Sequence, residues 1–326
     1  MRFESVRLVA LGCACAVLSP YSSGALAQPY PARAVRMVVP FAAGGGTDVV
    51  GRMIAQKLTD AWGQQTVVDN RAGGGSVIGT EIVARSAPDG YTVLLTAPPF
   101  ATNAALLPRL PYDSLQDFAP VILAAMAPLI VVVHPSLPVR SIKELVTVAK
   151  ARPGQLSYGS SGNGGPQHLA GELFKSMAGV DMVHVPYKGG APATVDLVGG
   201  QVQIGFSSML TVMTFVKAGR LRPLAVTGPQ RSAVMPELQT VAESGFPGYE
   251  TTTWYGILAR AGTPPAIIAS LNADIARVLN LRDIKDRLAN EGAEIVASSP
   301  GAFATFLQTE IARVQKLSKF AVIKLD

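Results

Sequence analysis

Between residues 35 and 319, segments that read as strands alternate with segments that read as helices almost without a break. No other feature of the chain limits its fold as much. A chain that returns through a helix before each new strand builds mostly parallel sheets, covered by helices on both faces. Apolar runs and two-residue alternation place strands at 35–39, 65–69, 91–96, 129–133, 156–159, 182–185, 202–206, 221–227, 254–259 and 294–296. Helices fit at 48–62, 77–86, 141–151, 166–178, 191–198, 211–218, 265–279 and 301–319. Hydrophobic residues make up 48% of the 326 and charged residues 15%, so the chain has ample material for a core and is not of the disordered class.

Ligands on such sheets bind beyond the carboxyl ends of the strands. Four glycine-bearing turns stand there, at 41–48, 70–79, 160–168 and 186–192. The first runs Phe41-Ala42-Ala43-Gly44-Gly45-Gly46-Thr47-Asp48, from a buried strand straight into a helix. Three consecutive glycines leave backbone N–H groups bare at the positive end of a helix dipole, which is an anion site in waiting. The turn has no Lys, Arg, His or Cys, which favours holding an anion over modifying one. Asp48 would repel an anion, so it is assigned to shaping the loop through nearby amides. Two turns precede residue 130 and two follow it, which suggests two lobes facing across a cleft. Their expected limits are 28–128 with 252–326 for lobe one and 129–251 for lobe two, the chain crossing near Pro128 and Thr252. No internal repeat period is visible.

Residues 1–27 read as a secretory signal. Arg2 and Arg7 precede an apolar run too short to span a bilayer, and Ala25-Leu26-Ala27 fits a cleavage site that would leave Gln28 as the first mature residue. Cys13 and Cys15 both lie in this segment; a lipid-anchored reading through Cys13 fits poorly because Ala10 stands where an aliphatic residue is expected. The mature chain then has no thiol chemistry. An exported, periplasmic protein is expected. The net charge of +6 comes from scattered Lys and Arg residues, which argues for attraction to small anions and against a nucleic-acid face.

Ser160, Ser161 and Asn163 offer donors beside Gly162 and Gly164, just before a helix. They read as contacts to a ligand's second polar end. A hydrolase reading through Ser160 or Ser161 fails the nucleophile-elbow pattern, which needs glycine two residues before and two after the serine. Around Ser161 stand Gly159 and Asn163, and around Ser160 stand Tyr158 and Gly162. The only histidines, His134, His168 and His184, have no metal-site spacing; His184 reads as a core residue and His168 as one that caps or packs at a helix start. No metal or cofactor is expected. Lys188 is the candidate for one positive charge near the cleft, with Tyr187 either covering the ligand or packing. Trp254 and Tyr255 stand at the second crossover, where they would wall the cleft or, the favoured reading, pin the hinge. The glycines at 73–75 and 79 miss the dinucleotide fingerprint, since Ile78 takes the last glycine's place.

Together with these motifs, Tyr30-Pro31, Asn70-Arg71-Ala72-Gly73-Gly74-Gly75, Ala87-Pro88-Asp89-Gly90-Tyr91-Thr92, Leu110-Pro111-Tyr112-Asp113, Asp117-Phe118-Ala119-Pro120-Val121, His184-Val185-Pro186-Tyr187-Lys188-Gly189-Gly190 and Trp254-Tyr255-Gly256 occur in an order and spacing that is specific in combination. In this the mature chain resembles the tripartite tricarboxylate transporter substrate-binding proteins, the Bug family of periplasmic solute receptors. The last helix departs from the family pattern in having Val314 where a tryptophan is common. The resemblance implies an α/β, two-lobed periplasmic-binding-protein fold of type II topology, with a small carboxylate pinched between the lobes and transporter membrane subunits as partners. It implies carboxylate contacts largely from backbone amides, hydroxyls and ordered water, which agrees with the turns: amides of Ala43 to Gly46 are expected to take one carboxylate, directly or through water, and Ser160 to Gly164, Tyr187 and Lys188 the remainder. A monomer is the default for this architecture. Gly45→Val is expected to abolish binding through bulk and lost backbone freedom. The rival readings are an exported hydrolase and a sensor built on the same closure.

Overall fold

The computed structural model describes residues 30–290 and 292–318. The expected leader, with both cysteines, lies outside the described residues, as does the end of the last expected helix. The elements follow in chain order as β1 (Val35–Val39), α1 (Gly46–Trp62), β2 (Thr66–Asn70), α2 (Val77–Ala84), β3 (Thr92–Thr96), α3 (Pro99–Leu106), β4 (Phe118–Val133), α4 (Ile142–Ala151), β5 (Ser157–Ser160), α5 (Pro166–Ala178), β6 (Val183–Pro186), α6 (Gly190–Val198), β7 (Ile204–Ser208), α7 (Met209–Lys217), β8 (Arg222–Val226), β9 (Thr252–Arg260), α8 (Pro265–Leu279), α9 (Arg282–Asn290), β10 (Glu294–Ile295) and α10 (Pro300–Leu317). The local reasons are legible. In α1, Val50, Met53, Ile54 and Leu58 form one buried stripe, and Gly63 ends the helix in the left-handed conformation with its amide on the Thr59 carbonyl.

The strands join in one sheet in the order β2-β1-β3-β9-β4-β7-β5-β6, with β10 and β8 also on β4. Strand β4 serves two halves. Its first part, to Pro128, runs antiparallel to β9, and its last part, from Leu129, runs antiparallel to β7 and β8. The halves then read β2-β1-β3-β9-β4 and β6-β5-β7-β4-β8. Each has three parallel strands, then one antiparallel strand that arrives from the other half. The second half thus repeats the topology of the first, although the sequence shows no repeat. This is the two-lobed type II arrangement. Each half packs apolar side chains on both faces: Met37, Ile54, Leu95 and Ile275 on one side of the first, Leu94, Phe100 and Phe303 on the other. The second half does the same with Val131, Phe174 and Phe206, and with Val132, Leu197 and Val212.

Where the halves meet, Thr227 ties the two crossing strands. Its buried hydroxyl accepts from the Leu129 amide at 2.8 Å and donates to the Thr251 carbonyl at 2.7 Å, while its own carbonyl takes the Thr251 amide at 2.9 Å. On β9, successive residues point to opposite faces. Trp254 is buried against Phe303 and Phe306, with ring centroids 6.1 and 5.6 Å away. Tyr255 faces the other way. Helix α10 lies so close to β9 that a Cβ on Gly256 would run into the Phe303 ring. Val314, the departure in the last helix, is buried.

Three expectations need correction. Helix α3 lies where no element was expected, and so does α9. Strand β4 begins at Phe118, well before the expected residue 129. Prolines 120 and 128 fit within it because β4 shifts register against β9 just after Pro120 and changes partners just after Pro128.

Candidate functional site

The first turn is held from within. Asp48, buried in the first turn of α1, accepts from the Gly44 amide at 2.8 Å, the Arg52 guanidinium at 2.9 Å and the Asn70 side-chain amide at 2.9 Å. Burial pushes its pKa up, but the bonds from Arg52, Gly44 and Asn70 outweigh burial and hold the carboxyl below its ordinary value. Asp48 therefore shapes the loop with its charge turned away from the space ahead of the helix. Gly44 adopts φ +80°, which an L side chain rarely does, whereas Gly45 has an ordinary φ of −76°. The backbone freedom assigned to Gly45 belongs to Gly44.

The four glycine turns meet. The Ala42 amide donates to the Lys188 carbonyl at 3.0 Å. A Cβ on Gly44 would lie 3.4 Å from the Ala191 Cβ, and one on Gly75 would lie 3.6 Å from the Asn163 carbonyl. The halves are closed on one another and enclose a cavity of about 30 Å³. Its walls are Phe41, Gly45, Gly46, Thr47 and Ala97 from the first half and Leu129, Ser161, Pro166, Gln167, Gly190 and Ser208 from the second, with Thr253 and Tyr255 on β9. None of these residues is charged.

Four helices begin at this cavity. Gly45 and Gly46 open α1, Pro166 opens α5, Gly190 opens α6 and Ser208 precedes α7. None of the four has a side-chain cap on its first-turn amides. Of the helices that start elsewhere, α4 and α10 have one, Ser141 accepting from the Glu144 amide and Ser299 from the Ala302 amide, each at 3.2 Å, while α2 and α8 do not, so it is the convergence of the four starts that marks the cavity. Uncapped first turns carry free donors and the positive ends of four dipoles. Hydroxyls of Thr47, Ser161, Ser208 and Tyr255 and the Gln167 amide add adjustable donors to the same space.

Of the residues expected at the site, Phe41, Gly45, Gly46, Thr47 and Ser161 line the cavity. Ala43, Gly44 and Asp48 belong to the turn behind it. Ser160 is fully buried below the floor, its Oγ 2.6 Å from His184 Nε2. Gly162, Asn163 and Gly164 form the loop outside the wall, with the Gly164 amide donating to His168 Nδ1 at 3.0 Å. Tyr187 gives its hydroxyl to Asp196 at 2.6 Å, and the exposed Lys188 reaches across only with its carbonyl; neither side chain lines the cavity. Tyr255, expected mainly to pin the hinge, is a wall, with its hydroxyl 3.4 Å from Ser208 Oγ. Pinning falls to Trp254. The sequence reading missed Gln167, Gly190 and Ser208. All three could have been found by asking which helices begin at the carboxyl end of a strand.

The Ser160–His184 pair has the spacing of a nucleophile and base. The serine hydroxyl is sealed from solvent and also bonds the Gly162 amide and carbonyl. Burial, then the neighbouring His168, push His184 down to about 4. The nearby Glu172 accepts from Tyr158 at 2.7 Å and Lys175 at 2.8 Å. Among the described residues no cluster could hold a metal ion, and no helix is long and apolar enough to cross a membrane.

A second cavity, of about 730 Å³, lies on the opposite face of the crossing strands. Pro128 and Thr252 line it, one residue before Leu129 and Thr253 of the small cavity, together with Arg231, Lys285, Ala289 and Gly292. It is larger, but no uncapped helix start opens into it.

Comparison with known proteins agrees with this geometry. The family model described as the tripartite tricarboxylate transporter family receptor matches residues 50–321. Protein BugT of Bordetella pertussis is 40% identical over 289 residues, 88% of this chain and 89% of BugT. Among solved structures, R. palustris Rpa4515 with adipate superposes with TM-score 0.87 at 40% identity, covering 89% of this chain and 98% of that one. MatC from Rhodopseudomonas palustris with bound malate gives TM-score 0.84 at 30% identity, covering 88% and 99%. The periplasmic binding protein BugD gives 0.87 at 34%, covering 90% and 99%. The chain belongs to the tripartite tricarboxylate transporter receptor family, alongside the Bug proteins.

Proposed function

We propose that this chain is a periplasmic receptor that closes two lobes, 28–128 with 252–326 and 129–251, around a small organic carboxylate. The observation that carries the reading is the convergence of four uncapped helix starts on one cavity without a charged wall. Such a site neutralises an anion with dipoles and N–H groups, and it loses no lysine or arginine solvation on closure. Relatives solved with adipate and with malate supply the ligand class, a short acyclic dicarboxylate. First-turn amides of Gly46 and Thr47 take one carboxylate, and the Ser161, Gln167, Gly190 and Ser208 donors take the other end. Ligand shifts the balance toward the closed form by its differential affinity for that form, and the closed form is what transporter membrane subunits read. Residues 1–27 direct export and are removed after Ala27. The chain works as a monomeric binding protein, not as a hydrolase.

A thermal-shift panel of malate, adipate, citrate, glutamate and a neutral sugar tests this. A carboxylate present at about a hundred times its dissociation constant adds about 2.7 kcal/mol of stability and raises the melting temperature by several degrees. A rise with the sugar and with none of the acids would end the proposal.

A further inference from the structure

Two of the three histidines, sixteen residues apart in the chain, meet under the loop that carries Ser161. His184 stands on β6 and His168 in the first turn of α5; their rings stack at 3.9 Å with planes 8° apart. Tyr158 stacks on the other face of His184 at 5.0 Å. Each histidine holds one end of the loop. His184 Nε2 lies 2.6 Å from Ser160 Oγ, which in turn accepts from the Gly162 amide at 3.1 Å. His168 Nδ1 accepts from the Gly164 amide at 3.0 Å. Between these anchors, Ser161 donates to Gln167 Oε1, and both side chains line the small cavity.

We propose that the stacked His168–His184 pair positions the second half's binding loop, and that the loop keeps its ligand-holding shape only while both rings are neutral. This rests on the carboxylate-receptor reading. A proton on His168 Nδ1 would face the Gly164 N–H, donor against donor, so the amide must leave. A proton on either ring also meets the other ring at stacking distance. Around the pair, Glu172 and Lys175 stand on α5, Tyr158 on β5 and Tyr249 beyond it; Glu172 favours a proton, Lys175 opposes it, and both tyrosines are held protonated by burial. His184 lies well below its ordinary value. A base held low contributes fully above its unfolded value and loses that contribution as pH falls toward the folded one. The loop is therefore intact at neutral pH and released on acidification, carrying Ser161 and Gln167 out of register.

The test follows the Gly164 amide by NMR in the ligand-free mature protein, from about pH 7.5 to about pH 4.5, across the range where histidines titrate. The amide is expected to move upfield in step with an imidazole signal. His168→Asn keeps an acceptor where Nδ1 stood but cannot titrate, so its Gly164 amide should hold still; His168→Ala should show the acid-like position already at neutral pH. In calorimetry with malate, wild type and His168→Asn should match at about pH 7.5, and wild type should fall below His168→Asn at about pH 4.5 by a factor that tracks the protonated fraction read from the imidazole signal. Malate's own titration is common to both proteins and cancels. A Gly164 amide that ignores the imidazole titration, or a His168→Asn protein with the full wild-type pH dependence, would overturn the proposal. Failure of both proteins to bind any acid would count against the receptor reading and leave the amide titration to decide this one.

Discussion

At Gly46 a single methyl group would be felt directly in the cavity. A Cβ there would stand 2.8 Å from the Tyr255 hydroxyl and 2.9 Å from Ser208 Oγ, and both groups line the same space. Gly46→Ala is expected to weaken malate binding about tenfold or more, since overpacking costs about 1–3 kcal/mol, with the far-UV spectrum unchanged. Calorimetry gives the number; full affinity would remove α1's first turn from the site. Gly45→Val acts by bulk alone, because its φ is ordinary and its Cβ would point to within 3.6 Å of the Gly190 amide. At this scale the sequence was informative about charge. An aspartate behind a glycine run had to serve the loop, and Asp48 spends its carboxylate on Gly44, Arg52 and Asn70. It was uninformative about Ser160 and Tyr187. A hydroxyl on a ligand loop looks the same whether it faces the cavity or a partner such as His184 or Asp196, and that choice is made by where the following elements pack, β6 for His184 and α6 for Asp196.

Among the elements, the crossing strands depend on one side chain. Thr227→Val keeps the shape and removes the hydroxyl that joins Leu129 to Thr251. It leaves two buried backbone groups short of a partner, so unfolding in urea should show a loss of about 1–3 kcal/mol. An unchanged midpoint would mean that the junction is held elsewhere. The elements that periodicity found are those with a full apolar stripe or run, such as β1, α1, α5 and α8. Helix α9 escaped because it is short and mostly charged, although Ile284 and Leu288 stand at i and i+4 on one buried face. The start of β4 was not assigned from sequence; its two prolines are tolerated where the strand shifts register and where it changes partners, which only the pairing shows.

Across the whole molecule, the repeated strand order was hidden from the sequence. Topology is kept by which strands pair, and two halves can keep it with unrelated side chains. The same architecture sets two spaces on opposite faces of one pair of strands, a small one at Leu129 and Thr253 and a large one at Pro128 and Thr252. A seesaw with its fulcrum on those strands cannot drop on one side without rising on the other. Bulk added on the roomy side, as in Ala289→Trp, should prop that side apart and so keep the opposite jaws shut before any guest arrives. Small-angle scattering of the empty protein should report a more compact particle, and malate should bind severalfold tighter because less of its affinity goes into moving the halves. The roomy side of the pivot would thus be the place from which the receptor's grip is tuned without touching a residue that meets the guest.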